Sequence, residues 1–115
     1  MNLKEFFAAV GGSYENTLSR LPSDKMIKRF LLKFADDPSF GNLKKAWAEN
    51  DVHSAFLAAH TLKGTAATLG IDKLSSIASE LTEELRNAEA LPETALLGEL
   101  EAEYNTVITS INAVE

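Results

Sequence analysis

Along this chain apolar residues return at intervals of three and four and form no alternating pattern, which restricts the fold to packed helices. The clearest run is Leu74, Ile77, Ala78, Leu81, Leu85 and Ala88, whose other face carries Lys73, Glu80, Glu83 and Glu84. It predicts a bundle helix with one buried stripe and a solvated acidic face able to repel unsuitable partners. Leu96, Leu97, Leu100, Tyr104, Val107, Ile108 and Ile111 predict a last helix after Leu91-Pro92, with the proline at its first position. Nearer the start, Leu3, Phe6, Phe7 and Val10 predict a short helix ended by Gly11-Gly12, and Tyr14, Leu18 and Leu21 another ended by Pro22. Ser23 suits the N-cap of a helix bearing Ile27, Phe30, Leu31 and Phe34, and Asp36-Asp37-Pro38 a break before Leu43, Ala46 and Trp47. Asp51 suits the N-cap of a helix over Val52 to Leu69, which Gly70 and the apolar Ile71 end in a Schellman-type turn.

Short connections between amphipathic helices make neighbours antiparallel. The expectation is an all-α, antiparallel up-and-down four-helix bundle over residues 23–112, with residues 1–21 as capping helices and residues 1–115 as one domain. Trp47 and Tyr104 fall on apolar stripes and read as core.

Composition narrows the function classes. Seventeen acidic against 11 basic residues give a net charge of -6, which opposes binding to nucleic-acid phosphates and favours a protein partner. With no cysteine there is neither a disulfide framework nor a thiolate metal site. Hydrophobic residues at 45% and charged residues at 24% are ordinary globular usage, with no sign of a membrane protein. Met1 to Val10 does not read as a signal peptide, which suggests a cytoplasmic address.

One helix face is unusual. With about 100° per residue and His60 set at zero, Ala55, Ala58, Leu62, Ala66 and Leu69 fall between about 160° and 240°, opposite the histidine. His60 is therefore expected in solvent. Lys63 lies about 60° to one side, Gly64 about 40° to the other, and Ala67 and Phe56 within about 40°. A glycine inside a helix costs roughly 1 kcal/mol against alanine, so a use for the missing side chain is implied. Phe56 and Leu57 flank the same line, and an apolar surface there suits a partner, unless the N-terminal helices cover Phe56. Lys63 places an ammonium beside the imidazole, where an anion could form.

The run His60-x-Leu62-Lys63-Gly64-x-Ala66-x-x-Leu69-Gly70 resembles the signature of histidine-containing phosphotransfer (HPt) domains of two-component phosphorelays. The Phe-rich helix ending at Asp36-Asp37-Pro38, the Glu49-Asn50-Asp51 link and the long helices after Gly70 are similar to that family's layout. The resemblance implies that His60 accepts a phosphoryl group from a receiver-domain aspartate or donates one to it. It implies that Lys63 neutralises phosphoryl charge and that Gly64 leaves room for the receiver, with Phe56, Leu57 and Ala67 in the docking patch. The Mg2+ would sit on the receiver, this chain binding no cofactor. Partners would be a receiver domain and a sensor or hybrid histidine kinase, and the chain a free-standing monomer. A nucleophilic imidazole must be neutral and accessible, a condition exposed histidines meet near neutral pH. No Gly-rich nucleotide loop is present, which fits a carrier rather than a kinase.

Other readings compete with this one. The same face could serve a binding module without chemistry. A metal-dependent helical enzyme would need a ligand motif such as His-Glu-x-x-His, which is absent. His53, seven residues before His60, returns to the same face but has Phe56 and Leu57 where His60 has Lys63 and Gly64. About 10 Å of helical rise separates the two histidines, too far to share one ion.

Overall fold

Seven helices and no strand make up the chain, which a computed structural model describes over residues 1–115. They are α1 (Leu3–Ala9), α2 (Tyr14–Arg20), α3 (Asp24–Ala35), α4 (Ser39–Ala48), α5 (Val52–Thr68), α6 (Asp72–Leu85) and α7 (Leu96–Asn112). Four start where a short polar side chain accepts a first-turn amide: Asn2 from Glu5, Ser13 from Asn16, Ser23 from Met26 and Asp51 from Ser54. The break at Asp36-Asp37-Pro38 is real. Helix α3 ends at Ala35, and Asp37 Oδ1 accepts the Ser39 amide at 2.8 Å as α4 begins.

One cluster of 24 buried apolar residues forms the core. Helix α5 packs against both α4 and α6, α6 packs on α7, and α1 and α3 reach α7. Helix α1 contributes Leu3, Phe6 and Phe7, the last two with rings edge to face at 5.1 Å. Tyr104 lies half-buried with its ring stacked on Phe40 at 4.3 Å, and Trp47 packs half-buried against the core. Glu103 on α7 is buried with Oε1 3.5 Å from Lys73 Nζ, which ties α7 to the start of α6.

The end of α5 is held from several directions. Gly70 is left-handed at φ 74°, its amide bonds Ala67 O at 3.1 Å, and the Ile71 amide bonds Ala66 O at 2.9 Å, which together make a Schellman ending. From α2, Arg20 donates to Thr68 O at 3.1 Å and Ala67 O at 3.4 Å. The Ser75 hydroxyl on α6 donates to Lys63 O at 3.0 Å.

Two boundaries differ from the sequence expectation. Helix α7 begins at Leu96 and not at Pro92, because the Thr94 hydroxyl accepts the Leu96 amide at 3.1 Å while Leu91 packs against the core and holds the preceding segment irregular. Helix α6 stops at Leu85, so Ala88 falls outside it. Asn87 takes a left-handed φ of 58°, which asparagine tolerates better than most residues.

A Cβ at Gly70 would press on Thr17 Oγ1 and lie 3.2 Å from Phe7 Cε1, in addition to the strained φ. Gly70→Ala should therefore cost about 2 kcal/mol or more, read as a lower urea midpoint at unchanged slope. The hydrogen bonds from Ser54 hold the Asp51 carboxyl below the usual aspartate range. A depressed carboxyl adds stability above its unfolded value and loses it as pH falls through its folded one. The stability gap between wild type and Asp51→Ala should be full near pH 7 and close as pH falls below about 4, measured by denaturation across that range.

Candidate functional site

The site is one side of α5, presented because the other side is buried. Ala55, Ala58, Ala59, Leu62 and Ala66 face the core, and Leu69 just after the helix joins them. His60 is exposed on the opposite side, as the helical arithmetic requires. Gly64 and Ala67 are exposed near it, Lys63 is half-buried, and Leu57 is 48% exposed, one of two large apolar side chains so open to solvent. The other, Leu32 on α3, lies beside a small apolar groove lined by Leu31, Ile111 and Val114.

Nothing lies within 4 Å of a Cβ built on Gly64. Folding therefore does not require glycine there. Gly41 and Gly98 have the same freedom, so open space alone does not mark a site. Gly64 differs by its place beside His60.

Phe56 is covered, though by the end of α6 and not by the N-terminal helices. Its ring is half-buried, the Arg86 guanidinium carbon lies 5.1 Å from the ring centroid, and the His60 imidazole is nearly parallel at 6.0 Å and 12°. Arg86 is in turn held by Glu83, with Nε to Oε2 at 3.2 Å and Nη2 to Oε1 at 3.1 Å. That pair holds the Glu83 carboxyl below the usual range, and Lys63 and His60 act in the same direction, so Glu83 sits within electrostatic reach of both.

Glu83 is thus not simply part of a solvated acidic face, and Glu84 also has a partner, accepting from the Thr94 hydroxyl at 3.2 Å. Arg86 was missed by the sequence reading, although its position three residues after Glu83 is the spacing of a helical ion pair. His53 is exposed and lines a groove between α5 and the end of α6, together with Val52, Phe56, Leu85 and Arg86. On the other side of α5 a more polar groove runs along α4 past Asn42, Lys45, Glu49, Ser54 and Leu57. No three His, Cys, Asp or Glu side chains converge as a metal site.

The family model of the Hpt domain matches residues 26–110, from the first turn of α3 almost to the end of α7. The chain belongs to the Hpt family. Hpt domains carry phosphoryl groups on histidine in two-component phosphorelays and interact with receiver domains and kinases. Helices α1 and α2 precede the matched stretch. No curated protein and no solved structure matches the chain. No helix is long and apolar enough to cross a membrane.

Because Gly64 stands in an uncrowded helix interior, Gly64→Ala should raise stability by about 0.5 to 1 kcal/mol. Denaturant titration checks this, and a loss of stability would mean that the backbone there needs glycine.

Proposed function

We propose that this Hpt chain is a phosphorelay carrier that takes a phosphoryl group on His60 from a receiver aspartate and passes it to another. The observation that carries the reading is the exposure of His60 on a buried-backed helix, stacked on Phe56 with Lys63 one turn away. Phosphoryl transfer depends mainly on in-line positioning and neutralisation of charge, so a rigid, accessible imidazole can suffice when the partner brings the metal. In this reading Mg2+ and the remaining catalytic groups belong to the receiver, and the chain binds no cofactor of its own. It works as a monomer in the cytoplasm.

Lys63 neutralises charge on the transferred group. Gly64 admits the receiver surface, while Leu57, Phe56 and Ala67 form its apolar seat. Residues 1–115 act as one domain whose scaffold is an antiparallel four-helix bundle, with the N-terminal helices packed as caps. The three-residue links Glu49-Asn50-Asp51 and Leu69-Gly70-Ile71 and the pairing of α5 with α4 and α6 support that scaffold.

Incubation with a phosphorylated receiver should move an acid-labile label onto wild type and His53→Gln but not onto His60→Gln. Lys63→Ala should slow transfer about tenfold, the loss expected for one charge-assisted contact in the transition state. Binding that His60→Gln leaves intact, with no label ever reaching wild type, would make the chain a receiver-binding module without phosphotransfer.

A further inference from the structure

Glu83 is an acidic group at the edge of this side of α5, paired with the cation that covers Phe56. Its two oxygens take both donors of Arg86, at 3.2 and 3.1 Å, while Lys63 and His60 lie within its electrostatic reach. Arg86 also spans to the phosphoacceptor face, since it lies over the Phe56 ring that stacks on His60. Glu83 and Arg86 keep 61% and 45% of their side-chain surface open, so neither is locked by burial and both can change partners. We infer that Glu83 is a resident counter-anion that holds Arg86 over Phe56, the ring stacked on His60, and competes with the phosphoryl group for it, thereby limiting how tightly His60 keeps its phosphate. The inference deepens the carrier reading and rests on it.

The charge balance gives the direction. A ring nitrogen of neutral His60 donates its lone pair to phosphorus as the bond from phosphorus to the donor's carboxylate oxygen breaks, and that oxygen leaves with the bonding pair. The other ring nitrogen keeps its proton, so an imidazolium bearing a phosphoryl dianion replaces a neutral ring. Two negative charges then stand near a carboxylate that already uses Arg86. Either Arg86 leaves Glu83 for the stronger, more compact anion, or the phosphoryl group goes without it. In the first case the unneutralised Glu83 charge repels the product, and in the second the product lacks its second cation, so either way Glu83 disfavours the loaded state. Removing that charge should favour the loaded histidine, whereas removing Arg86 should favour the empty one.

The pair is exposed and screened, so the effect is modest. In an equilibrium mixture with a phosphorylated receiver, Glu83→Gln should shift the phosphoryl distribution toward His60 by about two- to fivefold, and Arg86→Gln away from it by a similar factor. Both shifts should shrink in high salt, which a purely structural effect would not do. A second measurement needs no receiver. With His53→Gln as background, the small donor phosphoramidate loads His60, and the Nε–H resonance of Arg86 should move on loading because Glu83 loses that donor.

An Arg86 resonance that ignores phosphorylation, or Glu83→Gln and wild type sharing the same distribution, would overturn the inference. So would a His60 that phosphoramidate cannot load in either protein, because no phosphoryl group would then meet the cations. If His60 loads and Arg86 responds but no receiver exchanges with it, the carrier reading fails alone.

Discussion

The burial of one side of α5 is the constraint on which the site depends. That side is mostly alanine, with Ala55, Ala58, Ala59 and Ala66 beside Leu62. Short side chains let α4 and α6 pack along α5 with little to hold them off, and an Ala-rich helix loses little conformational entropy on forming. A bulkier stripe would push the neighbours apart and open the core. Because the fully buried stripe covers only about 100° of the helix circumference, His60 stands in the exposed arc opposite it with a groove to each side of the helix.

A reactive side chain on a helix is only as well placed as the helix ends. Asp51 fixes the start of α5 through the Ser54 amide, while Gly70 and Arg20 occupy carbonyls that would otherwise be open at its finish. The Ser75 bond to Lys63 O adds a lateral tie one turn from His60. Gly70 also meets Thr17 and Phe7, so the N-terminal helices bear on the far end of the same helix even though they precede the stretch matched by the Hpt family. The scaffold sets the position of His60 and leaves its ring open to solvent. This arrangement suits a carrier whose chemistry is supplied by its partner.

Helix faces were legible in the sequence because they follow from periodicity alone. The outward direction of His60, the inward direction of Leu62 and Ala66, and the caps at Ser23, Asp51 and Gly70 each depend on residues within a turn or two. Pro92 shows where local rules stop. Its preference for a first helical turn yielded to Leu91, which packs against the core, and to the Thr94 hydroxyl, which starts α7 further on. Asn87 ended α6 early through a left-handed turn, although Ala88 continued the apolar spacing. The element that covers Phe56 was not legible for a related reason. That cover is Arg86, thirty residues away in sequence, and no periodicity within α5 reports a side chain delivered by α6.

The same contact changes the electrostatics of the face. From α5 alone the surroundings of His60 are one lysine and small apolar residues, a purely cationic setting for a phosphoryl group. Helix α6 adds a second cation together with its own counter-ion, so the pair leaves the net charge of the face at the single positive charge of Lys63. A site of unbroken positive charge would bind phosphate strongly and surrender it slowly, since whatever stabilises the loaded state raises the barrier to leaving it. A relay needs the opposite, a histidine that can be filled and emptied with little net change in free energy. In the proposed carrier Glu83 would provide the offset, and its exposure would keep that offset small enough for a docking receiver to override.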